Sequence, residues 1–281
     1  MKAEDYTVGW ICAVQTEYVA ACEFIDEEHP PLSTRSLHDD NAYTLGRIED
    51  HNVVIACLPK GRYGLTNAAS VAKDMLRSFP LIRFGLMVGI GGGAPSEKHD
   101  IRLGDVVVSS PVGKTGGVIH YEFGKTVQGK KFERTGSLDA PPPFLLAALG
   151  KLSMLHERKG HRIAESVREM VTKNPRLRKK YQQPDSGSDR LYPATFVHAD
   201  SSQDCQACCS AGAPQLTKRR LRDTYQGAPV IHYGLIASAD RLMEDATVRD
   251  ILAEEEESAV LREGGSRIDG PFPVCGHSWY L

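Results

Sequence analysis

Short apolar runs alternate along most of the chain with stretches of helical period. Residues 6–14 are rich in apolar β-formers and stop at a polar step, which predicts a strand running into a helix that begins near Thr16. Residues 43–48 and 52–58 flank the polar Glu49-Asp50-His51 and predict a β-hairpin. Gly61, Gly64 and Thr66 lead into residues 67–76, where small and apolar side chains at three- and four-residue spacing predict a helix packed closely on a sheet. Residues 82–88, 104–110 and 229–238 read as buried strands, and Gly89-Ile90-Gly91-Gly92-Gly93 as the breaker that ends the first of them. After Pro141-Pro142-Pro143, residues 144–155 and 163–171 carry helical spacing, the second stretch ending near Asn174-Pro175. Asp240 is placed to cap a helix through residues 249–252. Strands alternating with helices around one embedded hairpin predict a three-layer α/β/α fold with a central mixed sheet, its site at the carboxyl ends of the strands.

The glycine cluster reads equally as a bare turn or as a loop whose backbone can lie against a ligand, because no Cβ intrudes there. Glu17 falls at a strand's carboxyl end and a helix start, where a carboxylate is favoured by the helix dipole whether or not it does chemistry. A length of 281 residues fits one large domain, and a net charge of −2 gives no electrostatic reason to expect nucleic acid. The basic run from Arg176 to Lys180 reads as a solvated helix end. No apolar run approaches the roughly 20 residues that span a bilayer, and the N-terminus lacks a signal-peptide pattern, so a cytoplasmic protein without a membrane partner is expected. Seven cysteines without secretory features read as reduced thiols, with Cys12 and Cys57 as small core residues. Cys205, Cys208 and Cys209 form a C-x-x-C-C cluster with only His198 nearby, which falls short of a zinc set, so neither metal nor cofactor is expected. Residues 184–189 and 201–212, rich in Ser, Asp and Gly, read as surface loops.

Several stretches in fixed order carry a resemblance. They are Val8-Gly9-Trp10-Ile11-Cys12-Ala13 with Glu17, the helix start at Gly64, the glycine cluster, Leu103-Gly104-Asp105-Val106-Val107-Val108, Tyr121-x-Phe123-Gly124, and His232-Tyr233-Gly234-Leu235-Ile236-Ala237-Ser238. In this order they resemble the nucleoside phosphorylase and nucleosidase superfamily, and its fungal branch most. The resemblance implies a phosphorylase/hydrolase-like domain over residues 1–261 that cleaves the N-glycosidic bond of a purine nucleoside. It implies Glu17 as the acid that positions the attacking water, Gly61 and Gly64 at an anion-holding helix start, Ile90, Gly91 and Gly92 against the ligand, and Leu242 packed on the base. A homo-oligomer is left open.

Where the chain departs from that pattern, further expectations follow. Residues 133–226 are an insertion relative to compact bacterial nucleosidases. Met87 and Ile90 stand where the phosphorylases place an Arg and a Ser on phosphate, and an apolar pair cannot hold an anion, so water is the expected nucleophile. Residues 262–281 lack helical or strand period and lack the family's ribose-binding Glu and base-protonating Asp. They read as an aberrant, frameshifted tail, since a shifted frame from Ile268 can encode the missing strand. Its loss is expected to uncover a sheet edge and to impair catalysis and binding. The competing reading is a non-catalytic sensing domain of a fungal receptor-like protein with further domains downstream.

Overall fold

The computed structural model describes residues 1–33, 37–130, 132–135, 140–183, 186–197, 216–219, 221–222, 229–240, 243–256, 258–263 and 278–280. The chain is mixed α/β, with helices on a central mixed sheet. β1 (Val8–Cys12) lies between β4 (His51–Cys57) and β5 (Phe84–Met87), parallel to both. Its position follows from its side chains: Val8 and Cys12 are buried with Val53, Ile55 and Ala21. Cys12 and Cys57 stand opposite one another in register, as small strand residues. β3 (Tyr43–Ile48) pairs antiparallel with β4 as the expected hairpin, and β2 (Glu27–His29) completes the order β2-β3-β4-β1-β5. At the hairpin tip Glu49 adopts φ +49°, held by its N–H donating to Asp26 Oδ2 (2.7 Å) and by Arg47 donating to its carbonyl (2.8 Å).

The second half of the sheet departs from the sequence reading. Ile90–Gly93 is a strand, β6, where a loop is predicted. It runs antiparallel to β12 (Ser258–Glu263) and β13 (Ser278–Tyr280), with Gly92 opposite Leu261 and Gly91 opposite Ser278. β13 lies parallel to β7 (Val106–Ser109), which pairs with the first half of β11 (Ile231–Ala239). The second half of β11 pairs with β8 (Val118–His120) and with β12. Because β12 contacts both β6 and β11, these strands close on themselves, and closure removes the edges an open sheet exposes. Part of the expected uncovered edge is thus occupied by β13, a short segment of the tail in which the sequence shows no strand period. β9 (Gly124–Lys125) and β10 (Glu133–Arg134) form a short antiparallel ribbon at the start of the insertion.

The helices sit close to prediction. α1 (Gln15–Glu23) follows β1, and α2 (Leu65–Ser78) buries Val71 and Met75 against Tyr6, Val54, Ala56 and Phe79. α3 (Pro143–Lys159) opens on the proline run, with Phe144 edge-on to Phe84 at 5.6 Å. α4 (Ile163–Lys173) is followed by α5 (Arg178–Tyr181), which carries most of the basic run. The basic side chains of that run are exposed, as a solvated helix end requires, while its far end touches α1: Lys180 donates to Thr16 Oγ1 (2.8 Å) and Tyr181 OH to the Thr16 carbonyl (3.4 Å), and before the run Asn174 Nδ2 donates to the Glu23 carboxylate (2.9 Å). α6 (Ala246–Glu256) lays Leu252 and Ala253 on Tyr121, Leu235 and Ala237. Its cap is Asp245, which accepts from the amides of Thr247 (2.9 Å) and Val248 (3.1 Å), and not the predicted Asp240. Among the described residues no helix is long and apolar enough to cross a membrane.

At the amino ends of β7 and β11 the insertion is anchored by buried charge. Asp105, 1% exposed, accepts from Arg222 Nη1 and Nη2 (2.8 and 2.6 Å), from the amides of Arg102 (2.8 Å) and Val230 (2.9 Å), and shares a hydrogen bond with His232 Nε2 (3.0 Å). Burial alone pushes this carboxyl up, but Arg222, His232 and the two amides outweigh it and hold its pKa at about 2. Asp189, expected in a surface loop, instead receives both Arg219 Nη1 contacts (2.9 and 3.0 Å) beside this group.

Candidate functional site

Glu17 is the third residue of α1 and is 5% exposed. Its Oε2 accepts from the amides of Ala13 (2.7 Å) and Val14 (3.2 Å) at the end of β1, and its Oε1 accepts from the amide of Ile90 (2.7 Å) at the start of β6. One carboxylate therefore ties the carboxyl end of β1 to the start of β6. Burying such a charge is sustained because both oxygens are hydrogen-bonded and the helix dipole points its positive end at it. Gly89 is what lets the carboxylate approach: a Cβ there would lie 2.5 Å from Oε1 and 2.8 Å from Cδ. The charge is felt nearby at Cys57, whose thiol is pushed up to about 11 by burial and, next, by Glu17.

The second part of the site is the corner where α2 begins. Gly61 (φ +77°) faces open space and Gly64 (φ +96°) is the N-cap of α2, a conformation that disfavours other residues. Gly64 supplies no side-chain cap. Instead Asp240, at the end of β11, accepts from the Leu65 amide through Oδ1 (2.8 Å), a contact across 175 residues of sequence. Its own amide donates to Glu122 Oε2 (3.1 Å), just past β8. A chain of carboxylates thus links the ends of β8 and β11 to the start of α2.

Beside this link lies a cavity of about 470 Å³ lined by Tyr121, Glu122, Phe132, Met243, Glu244 and Val248 among others. Its size suits a small-molecule site with an apolar body and a few polar groups. Leu242 lies outside the described residues, as do Cys205, Cys208, Cys209 and His198, while its neighbour Met243 lines the cavity. Among the described residues no group of three His, Cys, Asp or Glu side chains is arranged to hold a metal ion.

The structure therefore brings Glu17 and Ile90 into direct contact, sets Gly91 and Gly92 into the ladder of β6, and joins Gly64 to Asp240 through the next residue. Sequence reasoning missed Glu122 and the true role of Asp240. Glu122 lies inside the Tyr121-x-Phe123-Gly124 stretch, and Asp240 accepts from the start of a helix far earlier in the chain rather than from the one that follows it.

No protein-family model matches the chain. It is 42% identical over 256 residues to a nucleotide-binding leucine-rich repeat (NLR)-like protein from Hyaloscypha variabilis, an alignment that covers 91% of this chain. The chain spans only 24% of that relative's length. Similar solved structures include a 5'-methylthioadenosine/S-adenosylhomocysteine nucleosidase from Neisseria meningitidis in complex with methylthio-immucillin-A, at 14% identity and a TM-score of 0.47, covering 98% of this chain and 83% of that one. Another is the futalosine hydrolase of Helicobacter pylori strain 26695, at 12% identity and a TM-score of 0.43, covering 98% and 82%.

Proposed function

We propose that this chain is a nucleosidase-type domain that binds a purine nucleoside at the carboxyl ends of its strands and cleaves the N-glycosidic bond slowly with water. The observation that carries the reading is the Glu17 carboxylate, buried and oriented by the amides of Ala13, Val14 and Ile90 at the site the sequence motifs mark. A carboxylate fixed in this way can orient a water for attack at the anomeric carbon, or accept from a ribose hydroxyl, without reorganising. The bond to the base then breaks, the base leaves with a proton, and ribose keeps the hydroxyl. Residues 262–281 lack the sequence motif that carries the base-protonating Asp in the superfamily this chain resembles, and a missing general acid typically costs about 10²–10⁴-fold in rate. Chromatography of adenosine, inosine and methylthioadenosine incubated with the protein tests this. Slow release of base is expected, with ribose as co-product from adenosine and inosine and 5-methylthioribose from methylthioadenosine, abolished in Glu17→Gln, whereas base release unchanged in Glu17→Gln would overturn the role of Glu17.

A second reading is favoured by one observation. The NLR-like relative aligns over nearly all of this chain yet is about four times as long, so the same fold serves there as one part of a larger protein. On this reading the domain senses a nucleoside for neighbouring domains and turnover is incidental. Saturable adenosine binding without any base release would favour it.

A further inference from the structure

At the carboxyl ends of β8 and β11 stands a polar pair that Glu17 and the α2 corner leave unused. Gly92, Leu261, Ala237 and Ile119 form one row across β6, β12, β11 and β8. Ser238 and His120, partners in register, stand one residue further on, level with the start of β6, where the Ile90 amide binds Glu17. Ile119 and Ala237 pack towards α6, so the alternation of a strand turns Ser238 and His120 to the opposite face. Asp240, two residues beyond Ser238, shares that face and reaches the Leu65 amide of α2. At about 4.8 Å per strand, His120 lies on the order of 14 Å along the row from β6, the length of a ligand rather than of one bridging water.

The His120 imidazole is fixed, its ring nearly parallel to that of Phe123 (19°, centroids 6.2 Å apart), and its Nε2 is shut off from solvent without a hydrogen-bond partner from the protein. In either tautomer a sealed ring nitrogen left unpaired is destabilising, and an exception of this kind calls for a group that completes the bonding. Ser238, 9% exposed, sets a hydroxyl on the neighbouring strand. Among the described residues the charged groups just past these two strands, Glu122 and Asp240, are both acidic, and each already accepts from a backbone amide. They disfavour an anion, and an imidazole beside a serine hydroxyl offers a cation little. The set matches a pair of neutral hydroxyls, each able to donate and to accept. We propose that His120 and Ser238 form a binding site for the vicinal hydroxyls of a furanose, His120 Nε2 and the Ser238 hydroxyl each taking one. That the furanose is the ribose of a nucleoside rests on the nucleosidase reading, whereas recognition of the diol does not.

The test is NMR titration of methyl β-D-ribofuranoside and of its 2-deoxy analogue into protein labelled with ¹⁵N at histidine, the His120 Nε2 resonance being identified by its loss in His120→Gln. The ribofuranoside is expected to shift His120 Nε2 saturably in the millimolar range, and the 2-deoxy analogue to bind roughly tenfold more weakly, the worth of about one hydrogen bond. The exposed His51 should stay unmoved by either sugar. Ser238→Ala should weaken the ribofuranoside by a similar factor, with the His120 signal itself reporting that the strand ends are intact. A His120 Nε2 that the ribofuranoside leaves unmoved, that both sugars move alike, or that moves only in step with His51 overturns the proposal, and the wild type alone decides among these outcomes. No base is released in this experiment, so its failure is distinct from failure of the activity assay above.

Discussion

At the scale of single residues, two carboxylates carry most of what is specific to this chain, and each makes a prediction. Glu17 cannot be exchanged conservatively, because both of its oxygens accept from backbone amides. In Glu17→Gln one of those acceptors becomes an NH₂ facing an N–H, so a loss of about 1.5–3 kcal/mol is expected in urea melts along with any turnover. Gly89→Ala should imitate it, since the new Cβ would meet the pinned carboxylate at 2.5 Å. A Gly89→Ala protein with wild-type stability would show that the carboxylate has somewhere else to go. Asp105 makes a prediction in pH. Its folded pKa of about 2 lies below the ordinary carboxylate value, so its contribution is present above about pH 4 and is lost as pH falls towards 2. The loss is on the order of 2–3 kcal/mol. Arg222→Ala leaves that carboxylate buried without its bidentate partner and should cost about 3–5 kcal/mol at pH 7, with a shallower loss on acidification. Parallel acid limbs for the two proteins would show that Arg222 does not hold the carboxyl down.

At the scale of elements, local signals and distant ones separate cleanly. β1, the β3–β4 hairpin, α2, α4 and β11 were legible because each depends on its own apolar period, and the glycine and proline breaks at their ends are local too. β6 was not legible. Four glycines within residues 89–93 signal a turn, and what makes Ile90–Gly93 a strand is pairing with residues 260–261 and 278–279, which no window on the glycines contains. The same holds for Asp240, whose partner amide lies 175 residues earlier, and for Asp189, whose partners include Arg219 across the insertion. Glu17 was legible as a position but not as a brace, since its three donors come from two separate strand ends. The helix caps give a local prediction that is easily checked. Asp245→Ala should destabilise by about 0.5–2 kcal/mol through loss of the Thr247 and Val248 contacts, as read from thermal melts.

At the scale of the whole molecule, the question is what the last strands do for the sheet. β12 is held on two sides, by β6 and by β11, while β13 is three residues long and lies between β6 and β7. Both neighbours of β13 have other partners, so removing it should leave them in place but with facing rows of unpaired amides and carbonyls. Such a gap sits beside Val106, Val107 and Val108, which are nearly fully buried, and exposing them adds apolar surface to the open edges. A chain ended at Glu263 is therefore expected to fold, because the five-stranded sheet around β1 and the core of Tyr6, Val54 and Phe79 are untouched. It should nonetheless bind more of a hydrophobic dye than the 281-residue chain and self-associate at micromolar concentration. Size-exclusion chromatography with light scattering reads the second effect directly. A version in which residues 268–281 are replaced by the strand of the shifted frame, Leu-Met-Asp-Arg-Phe-Pro-Cys-Val-Val-Ile-Arg-Gly-Ile-Cys, offers a longer β-rich segment to the same gap and should be the least associated of the three. Equal elution of all three proteins as monomers would show that the gap between β6 and β7 closes without any strand from the tail.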